Sequence, residues 1–134
     1  MKETLNTLRV LAEENRLRIF MALHEQELCV CQIVALLGLA ASTTSKHLAL
    51  MYQAGILDQR KEGRWAHYRV SREWLGDNAR LATWLSGELA GSPRMQSDRG
   101  RLAKIFAMPP EKLCQPLEKC APDKPVSRNR GRQR

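Results

Sequence analysis

ELCVCQIVALLGLAASTTSKHLALMYQAGIL, residues 27–57, decides how the rest of the chain reads. Its spacing predicts two short helices with a tight turn between them. Ile33, Leu36 and Leu37 are the apolar positions of the first, and Gly38 stops it, because glycine tolerates the left-handed geometry just past a helix end. Leu39 crosses the turn. In the second helix Thr44, Leu48 and Met51 share one face, while Ser42, Thr43, Ser45, Lys46 and His47 lie elsewhere, and Gly55 closes it. Such a pair, its second helix faced with short polar and basic side chains, is a helix-turn-helix whose second helix enters the DNA major groove. By itself the stretch also fits an ordinary helical hairpin of a small all-α domain. Ala40 stands where a capping hydroxyl is expected, although Ser42 can cap if the helix begins slightly later; a missing cap costs about 1 kcal/mol.

The residues that follow favour the DNA-binding alternative. Ala66, Tyr68 and Val70 alternate with Trp65, His67 and Arg69, the period of a strand. Glu62-Gly63 reads as a two-residue turn, so residues 57–70 form a β-hairpin with Arg60, Lys61 and Arg64 around its tip. Charge at a hairpin tip means little alone. Directly after a helix-turn-helix it makes a wing, where basic side chains contact phosphate beside the groove. Ser42, Thr43, Ser45, Lys46 and His47 are then the candidate contacts to bases and phosphates, and Arg60, Lys61 and Arg64 the phosphate contacts.

Before this core, Leu5, Leu8 and Leu11 mark one helix, and Leu17, Phe20 or Met21, and Leu23 mark a second from about Asn15, its expected cap, to His24. After it, Ser71 caps a long helix expected over about 72–89, whose stripe of Trp74, Leu81, Leu85 and Leu89 suits a dimerisation surface. Gly91-Ser92-Pro93 breaks this helix. Residues 1–91 thus form the DNA-binding and dimerisation domain, 92–108 an additional helical segment, and 109–134 a basic, proline-containing flexible tail with Cys114 and Cys120. A chain of 134 residues with 43% hydrophobic side chains builds one small core that a dimer would help to bury. The net charge of +8 suits a polyanionic partner. The N-terminus has no apolar run for a signal peptide or membrane helix, so a cytoplasmic location without membrane contact is expected. In that compartment the four cysteines are free thiols or soft-metal ligands rather than disulfides.

The fold expected is mainly α with a β-hairpin wing, a winged helix-turn-helix homodimerising through its terminal helices. It resembles the winged-helix repressors of the ArsR/SmtB family over about residues 3–90. Asn15-Arg16-Leu17-Arg18-Ile19 resembles the family's opening helix signature, and residues 39–57 resemble its turn and recognition helix. Glu27-Leu28-Cys29-Val30-Cys31 looks like the Glu-Leu-Cys-Val-Cys box of the arsenic-responsive members. The resemblance implies a homodimeric repressor that leaves its operator DNA when a metal or metalloid binds. In that branch the thiolates of the Cys-Val-Cys box take trivalent arsenic or antimony as the inducer, with no permanent cofactor. The chain departs from the pattern at Val34, where the best-known arsenic members place a third cysteine. Residues 72–89 contain no histidine, which argues against the zinc-responsive branch.

Soft thiolates select soft ions, and trivalent arsenic favours three sulfurs. Cys29 and Cys31 give two. At a helix start the backbone dipole favours both thiolates. Residues two apart on a regular helix differ by roughly 200° in direction, however. Either the first turn is not helical or binding unwinds it. The third ligand is expected from Cys114 or Cys120; alternatively, a two-thiolate site takes a singly methylated arsenical. Two other functions compete. One is a redox-sensing repressor on the same fold. The other is a thiol oxidoreductase, which is disfavoured because the chain lacks a Cys-x-x-Cys pair, a phosphate loop and a base partnered to a thiol; no enzyme is expected.

Overall fold

Local spacing places the two central helices. The computed structural model describes residues 1–114. The elements are α1 (Lys2–Leu11), α2 (Glu14–Glu25), β1 (Leu28–Cys29), α3 (Val30–Leu37), α4 (Ala41–Gln53), β2 (Leu57–Glu62), β3 (Trp65–Val70), α5 (Arg72–Asp77), α6 (Ala79–Leu89), α7 (Pro93–Phe106) and α8 (Pro110–Cys114). Helices α3 and α4 are the helix-turn-helix and β2–β3 the wing, so the molecule is a winged helix-turn-helix. Ile19 and Phe20 of α2, Ile33 and Leu36 of α3, Leu48 and Met51 of α4, and Ile56 and Leu57 at the wing base are at most 1% exposed. Burying side chains of this size contributes about 1.5–3 kcal/mol each, which holds the helix-turn-helix and the wing to one core.

Gly38 adopts φ 71° at the end of α3 and its N–H donates to the Val34 carbonyl. That left-handed cap turns the chain into α4, whose N-cap, Ala40, makes no side-chain capping bond. Gly38→Ala is expected to destabilise the fold by about 1–2 kcal/mol, the cost of a β-carbon in this conformation, read as a lower urea midpoint at constant slope.

Several local details differ from expectation. The wing pairs Glu62 with Trp65, so the two turn residues are Gly63 and Arg64 rather than Glu62 and Gly63. Gly63 carries the positive φ, 64°, that the tight turn requires. The cap of α2 is Glu13, whose carboxylate accepts from the Arg16 N–H at 2.9 Å, and the Asn15 side chain instead accepts from Arg18 Nη1. The helix expected over 72–89 is two helices. Asn78 breaks it by donating both its backbone N–H and its side-chain amide to the Trp74 carbonyl. Ser71 caps α5 as expected, accepting from the Trp74 N–H. Ser92 caps α7 and Pro93 is its first residue, so this proline starts a helix as well as ending one.

β1 adds a third strand to the wing. It pairs antiparallel with β3, Leu28 opposite Tyr68 and Cys29 opposite His67, giving the order β1-β3-β2. Residues 110–114, expected in the flexible tail, form α8, which packs on α3.

Candidate nucleic-acid interface and thiol site

Helix α4 offers Ser42, Thr43 and Lys46 to solvent, with Ser45 half-buried beside them. Thr44 is fully buried on the opposite side, fixing which face is outward. His47 is not part of the open face. Its Nδ1 lies 3.2 Å from Arg16 Nη1 and 3.9 Å from Glu13 Oε1, so the ring is held against the start of α2.

On the wing, Lys61 and Arg64 are exposed. Arg60 is engaged at both ends of its guanidinium. Nε and Nη2 donate to the two Glu27 oxygens at 2.8 and 2.7 Å, and Nη1 donates to Glu62 at 2.7 Å. The hydrogen bond from Arg60 holds the Glu27 carboxyl below its ordinary range, and the same bonds raise Arg60 further above its own. Glu27 immediately precedes β1, so the wing's charge is tied to the strand that carries Cys29.

Cys29 and Cys31 are each 3% exposed and share one small cluster with Val30, Trp65 and Leu113. Regular helix geometry would aim them apart. Here Cys29 lies outside the helix: it is the N-cap of α3, extended at φ −83°, ψ 162°, while Cys31 is inside the first turn. Of the two alternatives, the first is what the structure shows: the backbone at Cys29 is not helical, and the two residues share one cluster with α3 intact. The Cys29 N–H donates to Gln32 Oε1 at 2.9 Å, and its sulfur faces the Gln32 N–H in a capping box. Cys29 is a free thiol and Cys31 is disulfide-bonded, so a thiolate pair requires reduction. Among the described residues no three His, Cys, Asp or Glu side chains are grouped to hold a metal. The Cys114 side chain and all of Cys120 lie outside the described residues.

Strand alternation explains what surrounds the thiols. Leu28, Tyr68 and Gln59 are in register on the core side, where Gln59 Nε2 donates to the Tyr68 hydroxyl and burial pushes that phenol up to about 12. The next row, Cys29, His67 and Arg60, is on the other side. His67 is thus the cross-strand partner of Cys29, and its Nε2 is 3.9 Å from Glu62 Oε1. A two-residue strand is too short to reveal such pairing by periodicity.

Helix α7 is fixed by a buried ion pair that sequence spacing does not reveal. Arg18 donates to both Asp98 oxygens, at 2.9 and 3.0 Å, and its Nη2 also reaches the Leu36 carbonyl at 3.2 Å. Arg101 Nη1 donates to the same carbonyl at 3.1 Å. Two guanidinium groups therefore satisfy the end of α3, next to the turn of the helix-turn-helix.

The chain was compared with known proteins. Residues 13–59 match the model described as "Bacterial regulatory protein, arsR family". The "Arsenical resistance operon repressor" of Escherichia coli K12 is 45% identical over 64 residues, 47% of this chain and 55% of that one. "Cadmium resistance transcriptional regulatory protein CadC" of Listeria innocua is 43% identical over 63 residues, 46% and 53% of the two chains. The chain thus spans about half the length of these two relatives. It covers more of "Arsenic resistance transcriptional regulator ArsR2" of Pseudomonas putida: 31% identity over 88 residues, 52% of this chain and 76% of that protein. Among solved structures, HlyU from Vibrio cholerae superposes with a TM-score of 0.60 at 27% identity, over 66% of this chain and 94% of that one. The homodimeric winged helix-turn-helix domain of Mb0332 from Mycobacterium bovis gives 0.56 at 28%, over 63% and 76%. No single helix among the described residues is long and apolar enough to cross a membrane. With the box, the turn and the wing in place, and with a regulator of which three quarters is matched, this chain belongs to the ArsR family of bacterial regulatory proteins.

Proposed function

We propose that this protein is a homodimeric transcriptional repressor that binds operator DNA through α4 and the wing and leaves it when a thiophilic ion occupies Cys29 and Cys31. The inducer is trivalent arsenic or antimony, including methylated trivalent arsenic. The observation that carries this function is the shared burial of both cysteines in one cluster at the start of the helix-turn-helix, Cys29 on a strand paired to the wing and Cys31 in the first turn of α3. An ion there pulls on β1 and α3 together, and Glu27 links the same strand to Arg60. The names of the relatives, arsenical and cadmium resistance regulators, point to soft ions. Dimerisation is supported by the homodimeric Mb0332 domain and by apolar side chains left open on the terminal helices: Leu5 (44%) and Leu8 (49%) of α1 and Trp84 (59%) of α6.

The test is fluorescence anisotropy of the phosphine-reduced protein on DNA from upstream of its gene, titrated separately with arsenite, antimonite and cadmium. Release by arsenite or antimonite at concentrations where cadmium is inert supports the function; release by cadmium alone overturns the inducer. Lys46→Ala is expected to weaken binding to all duplexes and to lower the salt slope by about 1, as loss of one phosphate contact does. An unchanged slope removes Lys46 from the interface.

The disulfide at Cys31 favours a second function on the same fold, a redox-responsive repressor. Two thiols joined by hydrogen peroxide give one disulfide and two waters. Peroxide releasing the DNA while arsenite does not would select it.

A further inference from the structure

Helix α7 lies outside residues 13–59, the stretch that matches the family model, and the function proposed above makes no use of it. Its charge is one-sided. Arg94, Arg99, Arg101 and Lys104 oppose a single acid, Asp98, and that carboxylate is buried and already neutralised by Arg18. Met95, Asp98, Leu102 and Ile105 form the buried face of the helix. At about 100° per residue, Arg94, Arg101 and Lys104 fall along one border of that face, and Arg99 falls on the opposite border. All four cations are exposed. Arg94 donates to Glu14 at 3.2 Å, whereas Arg99, Arg101 and Lys104 have no acidic partner among the described residues.

The border with Arg94, Arg101 and Lys104 runs beside the elements that carry the recognition helix. Arg101 Nη1 donates to the Leu36 carbonyl at 3.1 Å, and it is 3.5 Å from the place a β-carbon on Gly38 would take. Gly38 is the turn of the helix-turn-helix, three residues before α4 begins. Glu14, the partner of Arg94, opens α2, and its neighbour Glu13 lies beside His47 of α4. Helix α7 is thus an arm laid past the two elements that flank the N-terminal half of α4, the half that turns Ser42, Thr43 and Lys46 outward. In a helix-turn-helix the second helix enters the groove by its N-terminal end while the first crosses the backbone, so backbone phosphates pass close to the turn. We infer that this border of α7 is a further DNA-binding surface, with Arg101 and Lys104 contacting phosphates beside the groove that α4 enters; the assignment rests on the DNA-binding function proposed above. Arg101 commits Nη1 to the Leu36 carbonyl and keeps Nε and Nη2 for an anion. Contacts to the backbone position a protein without reading bases, so the surface adds affinity and register but no sequence preference.

Salt titration of the reduced full-length chain on duplex DNA, read by fluorescence anisotropy, tests this. Lys104→Gln and Arg101→Gln are each expected to lower the slope of log affinity against log salt by about 1, so that the affinity gap from native narrows about 3-fold between about 50 and 200 mM salt. The loss is expected to be equal on upstream DNA and on unrelated duplexes. Arg99→Gln removes the same charge from the opposite border and is expected to keep the native slope. A loss in Arg99→Gln equal to that in Lys104→Gln overturns the inference, because net charge rather than contact then explains both. Native slopes in both the Arg101 and Lys104 variants overturn it too, and a lowered slope in Lys46→Ala would then leave α4 and the wing as the DNA surface. A loss in Arg101→Gln alone, with a lower urea midpoint, makes Arg101 a support of the turn and overturns the surface as well. Native protein without salt-dependent duplex binding refutes the DNA-binding function itself, and this surface with it.

Discussion

Cys29→Ser is expected to keep its operator affinity and to lose arsenite-driven release, with the ion affinity falling by more than about 100-fold. Three features separate the two effects. Sulfur is replaced by an oxygen, a poor ligand for a soft ion, so the chelate loses one of its fixed arms. The position is 3% exposed, and the substituent changes little in volume, so the cluster with Val30, Trp65 and Leu113 keeps its shape. Cys29 is also the N-cap of α3. Serine is among the best residues there, and its hydroxyl takes over the bond from the Gln32 N–H. The variant is therefore expected to be at least as stable as the native chain in urea. Anisotropy on upstream DNA with and without arsenite, each after reduction, reads both effects. Release of variant and native protein at the same arsenite concentration would place the sensing thiols elsewhere. Loss of DNA affinity without any ion would mean that Cys29 shapes the wing directly, through its pairing with His67.

Elements set by local patterning are legible in the sequence. Gly38 between two apolar repeats fixes the turn, and alternation over 65–70 fixes the wing strand. The Cys-Val-Cys box is legible as chemistry, but its geometry is not. Helical spacing drives Cys29 and Cys31 apart, and one extended residue at the N-cap brings them into one cluster. That residue is extended because β1 pairs with β3, a contact between positions nearly forty apart in the chain. His47 looked free on the recognition helix, and only packing of α4 on α2 shows Arg16 and Glu13 beside it. Arg60 looked like a phosphate contact, and the carboxylate that engages it sits beyond the whole helix-turn-helix, at Glu27. In these three cases what sequence missed is a pairing between distant segments.

The buried pair between Arg18 and Asp98 carries the largest stability effect expected. Its partners are eighty residues apart, and their side chains are 5% and 7% exposed. Asp98→Ala removes two charge-assisted acceptors and leaves a guanidinium charge in the core. Its remaining partners, the Leu36 carbonyl and Asn15 Oδ1, are neutral. Breaking a buried pair from one side costs about 3–5 kcal/mol, a large share of the 5–15 kcal/mol that holds such a domain together. Replacing both partners is different, because no charge is then stranded. Arg18→Met with Asp98→Leu is expected to recover most of the loss, since apolar side chains of similar volume match or exceed a buried pair. Urea denaturation of the two single variants and the double variant closes the cycle. A single-variant cost below about 1 kcal/mol would show that water reaches the pair and that α7 is not clamped. The double variant also separates stability from sensing. It restores packing of α7 on α2 without the hydrogen bond from Arg18 to Leu36. If its arsenite affinity is native while its DNA release is blunted, that bond at the end of α3 carries the signal. If release is native as well, packing of the arm alone suffices to transmit it.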